Sequence, residues 1–208
     1  MSATALKSSP ETHAAGAERP LLLILCGAPG AGKTSFYESK LRESFPIQLK
    51  ASLSPLEQAE IEQQRKHLLK EAKSFVYQSP AVDLKLVDVA RSAGFEVRAI
   101  FMATEHPDLN TARVLSRASR GGLFGPVAEI REEYENGLRE LPGVKEAVDE
   151  LILVDNTAEG RSPRVVAQFV NRELVRVARS IPEWAQRSFS KEFAKLMVQE
   201  RSRSERAR

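Results

Sequence analysis

The run Leu21-Leu22-Leu23-Ile24-Leu25-Cys26-Gly27-Ala28-Pro29-Gly30-Ala31-Gly32-Lys33-Thr34 decides how this chain folds. Its first six residues form an apolar stretch of the length of a buried strand. Its last eight fill the pattern G-x-x-x-x-G-K-[ST] without a mismatch. A helix-compatible stretch, Thr34 to Phe45, follows directly. Strand, glycine-rich turn and helix in that order form the context in which the pattern means a phosphate-binding loop, the P-loop.

The spacing carries chemistry. Gly27, Gly30 and Gly32 admit backbone conformations closed to residues with a Cβ. Successive N–H groups can then wrap a phosphate, and the start of the next helix adds positive potential at the same place. Lys33 is expected to reach the β- and γ-phosphates of a nucleotide, and the Thr34 hydroxyl to sit on Mg²⁺. Ala28, Pro29 and Ala31 complete the loop, and Ser35 extends the expected nucleotide contacts into the helix. A bare strand-to-helix turn needs no Lys-Thr pair after its third glycine.

Composition bounds the rest. The 208 residues fit one α/β domain with appendages, and a hydrophobic content of 42% supplies a sizeable core. No apolar run approaches the ~20 residues that span a bilayer. Residues 1–19 lack the apolar centre of a secretory signal and read as a disordered leader. The single cysteine, Cys26, excludes an intramolecular disulfide framework. It reads as a packed thiol, in keeping with a reduced, cytoplasmic setting. The net charge of +3 is mild. Part of the excess lies in a basic tail, 201–208. That tail has no aromatic platform for bases, so nucleic acid is not an expected partner.

Periodicity and punctuation place the remaining elements. Pro46–Leu49 reads as a short strand. Ser54-Pro55-Leu56-Glu57 reads as a helix start, with Ser54 as N-cap and Glu57 closing a capping box, and the helix runs to about Ala72. Phe75-Val76-Tyr77 is a strand, 81–93 a helix ending at Gly94, and Glu96–Met102 a β-branched and aromatic strand. A helix from Pro107 to about Ala118, a loop at Gly121–Gly125, and a helix from Pro126 that stops before Pro142 follow. Leu151–Asp155 is the last clear strand. Ser162-Pro163 repeats the Ser-Pro helix start, predicting a Val-rich helix to about Arg179, and Pro182 opens a final helix carrying Trp184, Phe189, Phe193 and Leu196. Strands alternating with helices predict a doubly wound, mostly parallel sheet, a P-loop NTPase fold over 20–160, with extra C-terminal helices over 161–200.

Two further constellations bear on function. Arg113, Arg117 and Arg120 are spaced by four and three, so they share one helix face beside the Gly121-Gly122 loop. Arginines on such a lid suit a transferring phosphoryl group, which needs little beyond positioning and positive charge; an exposed Arg-rich helix face reads the same way. Asn156 ends the last strand, where ligands of open parallel sheets bind, and is a candidate contact to the nucleotide base; a strand-end turn also favours it. The histidines His13, His67 and His106 show no metal-ligand spacing.

Taken together, residues 20–157 resemble the zeta-toxin family of P-loop kinases and its predicted ABC-type ATPase relatives. The resemblance rests on Gly27–Thr34, the strand Phe75–Tyr77, Pro107-Asp108-Leu109 through Arg113-Val114-Leu115-Ser116-Arg117, Gly121-Gly122 with Pro126 and Ile130–Tyr134, and Asp155-Asn156. It implies a small-molecule kinase using ATP and Mg²⁺. In the characterised members the acceptor is an amino-sugar nucleotide. The chain departs from the family on the acceptor side. Lys50-Ala51-Ser52 stands where the family has an N-A-D-like segment with its general base, and Phe75–Pro80 where it has an acidic F-x-x-E-T-T motif. Leu123 replaces a histidine and Glu133 an arginine. Asp83 and Glu105, each just past a strand, are candidate replacements for the missing carboxylates, or acids that stabilise a helix N-terminus.

The expected function is an ATP-dependent phosphotransferase acting on a small molecule such as a nucleotide sugar, with Lys33, Arg117, Arg113 and Arg120 stabilising charge. The alternative is an ATP-binding module without transfer chemistry that regulates a protein partner. ATP over GTP rests on the resemblance, since no N-K-x-D base-reading motif is present.

Overall fold

A computed structural model describes residues 19–52, 54–121 and 126–206, with side chains to Lys195. Residues 1–18 of the expected leader 1–19, Leu123 and most of the Gly121–Gly125 loop, and the side chains of Leu196 and the basic tail lie outside the described residues.

One seven-stranded sheet organises the chain, in the order β2-β3-β1-β4-β5-β6-β7. β1 (Leu21–Cys26) pairs in parallel with β3 (Phe75–Gln78) on one side and β4 (Glu96–Ala103) on the other. β2 (Gln48–Lys50) extends the sheet beyond β3, and β5 (Glu150–Asp155) continues it beyond β4, both in parallel. The doubly wound α/β expectation holds for these five strands. The P-loop leaves the carboxyl end of β1, flanked by β3 and β4, where connections diverge to the two halves of the sheet and ligands of such sheets bind.

Parallel strands buried on both faces explain the unbroken apolar run of β1. Leu22, Ile24 and Cys26 join a core with β3, β4, α3 (Leu84–Ser92) and α5 (Val127–Ala147). Leu23 and Leu25 point the other way, onto Phe36, Tyr37 and Leu41. Those three residues come from α1 (Lys33–Phe36) and the π-helical turn Tyr37–Leu41. The predicted single helix over 34–45 therefore widens after one turn. The Arg42 amide donates to the Tyr37 carbonyl at 2.9 Å, and the Tyr37 hydroxyl closes on the Phe45 carbonyl at 2.8 Å.

Other boundaries also differ from the predicted ones. α2 (Pro55–Lys70) starts at Pro55 after Ser54, but the Ser54 side chain makes no capping bond. The capping box does not form, because the Ser52 hydroxyl reaches Glu57 first. α3 begins only after Asp83, whose carboxylate accepts from the amides of Lys85 at 3.0 Å and Leu86 at 3.2 Å. α4 (Pro107–Ala118) matches its expected span.

α5 does not stop before Pro142 but runs through it to Ala147. Proline there has no N–H for the Leu138 carbonyl one turn back. A side chain of the last helix, α6 (Glu183–Arg206), supplies the substitute. The Ser188 hydroxyl lies 3.2 Å from the Leu138 carbonyl, and equally 3.2 Å from Trp184 in its own helix. Beside it, Phe189 leaves helical geometry at φ −135°, ψ 35°, so α6 kinks there.

The predicted helix from Ser162 is absent. Residues 164–177 instead form a hairpin, β6 (Arg164–Val170) and β7 (Glu173–Val177), antiparallel to β5 and to each other. Val165, Val166, Phe169 and Val170 favour a pleated surface, and Val166, Ala167 and Phe169 are buried in it. Asn171 and Arg172 both take positive φ, 49° and 72°, as a two-residue hairpin turn requires. The aromatic stripe of α6 is core. Phe189 stacks on Phe169 with ring centroids 4.6 Å apart, Trp184 lies 6.0 Å from Phe101, and Phe193 is buried beside Phe189. Among the described residues, no helix is long and apolar enough to cross a membrane.

Candidate functional site

The glycines of the P-loop are there because nothing larger fits. Gly27, Gly30 and Gly32 have φ of 132°, 81° and 97°. A Cβ would stand 2.1 Å from the Met102 carbonyl at Gly27 and 2.4 Å from the Asn110 carbonyl at Gly30. At Gly32 it would stand 2.2 Å from the Asn156 amide nitrogen. The loop is thus pressed between the ends of β4 and β5 and the first turns of α4.

Two asparagines tie it down. The Asn110 amide donates to the Pro29 carbonyl at 2.8 Å while its oxygen accepts from the Thr104 hydroxyl, and Asn110 is completely buried. The Asn156 amide donates to the Ala31 carbonyl at 2.9 Å. Asn156, expected at the base, is placed against the loop itself. Asn110 drew no attention in the sequence, where it is one polar residue within a helix.

Lys33 folds over the loop, its ammonium donating to the carbonyl of Gly27 and, at 3.1 Å, to that of Ala28. It is 9% exposed. Burial pushes its pKa down from 10.5 to about 8, partly offset by the negative charge of Glu133. Cys26 is fully buried and its thiol is pushed up to about 12 by desolvation, as befits a packed group.

A cleft of about 500 Å³ opens over the loop. Lys33, Thr34 and Ser35 line its floor, Arg113 and Arg117 one wall, and Lys50 with Gln78 the opposite strand ends. Four cations and no carboxylate among these lining residues suit a polyphosphate. Arg120 is not among them, because its guanidinium turns back onto the Ser116 carbonyl at 3.0 Å. Arg113 reaches the Thr157 carbonyl at 3.4 Å and keeps a second guanidinium nitrogen buried without a partner. Lys50 was not among the expected site residues. It takes the first place of the segment Lys50-Ala51-Ser52 that stands where the resembled family has N-A-D, so the position of the acid falls to Ser52, whose hydroxyl donates to Glu57 at 2.5 Å.

The Mg²⁺ position fits only in part. The Thr34 hydroxyl accepts from the Gln78 amide at 3.2 Å. Mg²⁺ in such sites is ordinarily held by one or two carboxylates besides phosphate oxygens. Gln78 offers a neutral amide there, and no cluster of three His, Cys, Asp or Glu residues suited to a metal occurs among the described residues.

A second recess of about 380 Å³ adjoins the cleft, sharing Ala51, Ser79 and Pro80 as a common wall. Tyr77, Gln58, Asn136 and the carboxylates of Asp83, Glu133 and Glu140 line it. Asp83 is occupied, capping α3 and pairing with Arg65 at 3.5 Å. Glu105, the other expected acid, lies elsewhere and caps α6 by accepting from the Glu183 amide at 2.9 Å. Glu133 is uncommitted. One of its carboxylate oxygens is buried without a partner, and desolvation raises its pKa while Lys33 lowers it. The neighbouring Tyr134 fixes α5 to the end of β4, its hydroxyl donating to the Thr104 carbonyl at 2.7 Å.

The sequence matches no protein-family model and no curated protein. The fold does have solved counterparts. A chain of the AvrRxo1-ORF1:AvrRxo1-ORF2 crystal structure with sulphate ions matches at a TM-score of 0.56 and 14% identity, over 78% of this chain and 62% of that one. In the crystal structure of the same pair with ATP the values are 0.55 and 15%, over 77% and 61%. This chain thus spans less than two thirds of the length of those proteins. A chain of the PezAT chromosomal toxin–antitoxin system of Streptococcus pneumoniae matches at 0.51 and 17%, over 98% of this chain and 93% of that one. Sheet order, P-loop and these likenesses agree, and the protein has an α/β P-loop fold.

Proposed function

We propose that the protein is an ATP-dependent phosphotransferase that acts on a small molecule bearing a hydroxyl group. The carrying observation is the shared wall of Ala51, Ser79 and Pro80 between a cationic cleft on the P-loop and a separate recess beside it. A module that merely held a nucleotide would need only the first. In this reading ATP lies with its phosphates on Gly27–Ser35 and supplies the phosphoryl group. Lys33 releases the loop carbonyls to meet that group, and Arg113 and Arg117 balance its charge from α4. Arg120 assists only if it leaves Ser116. Positioning and fixed positive charge supply most of the acceleration such a reaction needs.

The test incubates the protein and its Lys33→Ala variant with Mg-ATP and a metabolite extract. Mass spectrometry should find a species that gains a phosphoryl group only with the unaltered protein. If ATP binds but no species gains one, the transferase reading fails.

One observation favours a second reading, an ATP-binding module that regulates a protein partner. The acid expected near Thr34 is the amide of Gln78. Gln78→Glu decides between them. A transferase short of one metal ligand should gain turnover at low Mg²⁺, whereas a module without chemistry should gain only Mg-ATP affinity.

A further inference from the structure

The lining of the second recess is sharply unlike that of the first. Among the described residues it contains no lysine or arginine, but three carboxylates, two amides and the Tyr77 ring. Asp83 is neutralised by Arg65, which also covers the outer face of Tyr77 at 4.8 Å from the ring centroid. Glu133 and Glu140, both on α5 and seven residues apart, have no ion-pair partner among the described residues. Seven residues is two helical turns, so both carboxylates stand on one helix face. Gly137 lies between them, where even a Cβ would come within 3.1 Å of the Phe101 ring. That face therefore sits close against the sheet and roofs the recess with negative charge.

An anionic acceptor, such as the sugar nucleotide that the family resemblance implies, would have to bring its phosphates against two unpaired carboxylates. Like charges set side by side at a binding surface repel and oppose binding. An ammonium group there would instead gain charge-assisted hydrogen bonds. The Asn136 amide offers a donor and an acceptor of the kind that read hydroxyl groups, and Gln58, whose oxygen accepts from the Ser52 amide at 3.1 Å, offers its amino group.

We infer that the acceptor is a positively charged, amine-bearing hydroxyl compound, of the amino-sugar or amino-alcohol class, held by Glu140 and presented to the P-loop by Glu133. The inference rests on the transferase reading and narrows it. In the transfer step the acceptor hydroxyl oxygen forms a bond to the γ-phosphorus. The bond from that phosphorus to the oxygen bridging the β-phosphate breaks, and ADP leaves with its electron pair. The hydroxyl proton passes to the Glu133 carboxylate, so the products are a phosphomonoester and ADP. Glu133 in this way takes over, from a different element, the task that the resemblance assigns to the position Ser52 now fills.

The experiment separates a metabolite extract by ion exchange at neutral pH into cationic, neutral and anionic fractions, and incubates each with ATP carrying a labelled γ-phosphate. Label should enter a compound of the cationic fraction. Glu133→Gln, which keeps the side-chain shape, should lower kcat for that compound at least 100-fold with ATP affinity within twofold. Glu140→Lys, at an exposed position, should raise its KM at least tenfold, more than it lowers kcat. Label entering only the anionic or neutral fraction overturns the inference and leaves the transferase reading intact. Label entering no fraction while ATP binds overturns both. An unaltered KM in Glu140→Lys overturns recognition by charge.

Discussion

Replacing Asn110 with alanine should loosen the P-loop without touching a nucleotide. The side chain is completely buried and spends both ends of its amide, one on the Pro29 carbonyl at 2.8 Å and one on the Thr104 hydroxyl. Thr104 keeps an alternative acceptor, the His106 carbonyl at 2.9 Å, so its hydroxyl is not stranded. The Pro29 carbonyl has no such substitute. Two lost hydrogen bonds at about 1 kcal/mol each, plus an orphaned carbonyl, put the cost at about 3 kcal/mol. For a chain of this size 1 kcal/mol moves the melting temperature by about 2–4 °C. Calorimetry should therefore record a fall of about 6–12 °C. Titration with ATP should show an affinity loss of at least tenfold, because binding must now also order the loop. Thr104→Val serves as the control, since it disturbs Asn110 but not the Pro29 bond, and should leave ATP affinity within about threefold. An Asn110→Ala variant that melts within about 2 °C of the unaltered protein and binds ATP equally well would refute the reasoning.

Three further outcomes are expected. Lys33→Met should abolish ATP binding yet raise the melting temperature near pH 7. The native pKa of about 8 lies below the unfolded 10.5, so the unfolded chain binds more protons between those values. Stability of the unaltered protein then rises with pH through that window, and the variant's advantage should shrink on melts run toward pH 10.5; a variant less stable at pH 7 would sink this account. Among the loop glycines, Gly27→Ala and Gly30→Ala strike backbone carbonyls at 2.1 and 2.4 Å, whereas Gly32→Ala meets the end of a side chain at 2.2 Å. Denaturant unfolding should rank the first two as clearly more damaging, and equal losses would contradict the contact geometry. Ser188→Ala should cost about 1 kcal/mol, by leaving the Leu138 carbonyl unpaired. With Pro142→Ala also present, the restored helix N–H should remove most of that cost; a double-mutant cycle without coupling would disprove the repair.

The P-loop, its strand and the five parallel strands were legible because each carries a local signal, a glycine pattern or an apolar run bounded by turn residues. The hairpin β6–β7 was not. Ser162-Pro163 mimics a helix start, and its turn is made by Asn171-Arg172, with no glycine to announce two positive φ angles. The continuation of α5 through Pro142 was equally hidden, since the group that makes it tolerable belongs to Ser188 in another helix. On the site, Lys33, Thr34, Arg113 and Arg117 line one cleft, while Arg120 turns away. Lys50, Asn110 and Glu133 went unrecognised as contributors for a common reason. Each acts through tertiary placement at a strand end, a helix start or a helix face. Their spacing in the chain says nothing of that. Glu133 was visible as a departure from the family, yet only the neighbouring recess gives the departure a use.

The antiparallel hairpin has a consequence for the time the P-loop spends intact. Without β6, the strand that ends in Asp155 would be an outer rung, free to peel. With β6 paired along it from Glu150 to Asp155, β5 is bonded on both sides, and fraying is moved outward to β7. Amides of such interior strands exchange with solvent only in the rarest, most extensive openings. Asn156, and through it the Ala31 carbonyl, is anchored to that slow-exchanging tier, so deuterium should enter β7 long before the loop lets go.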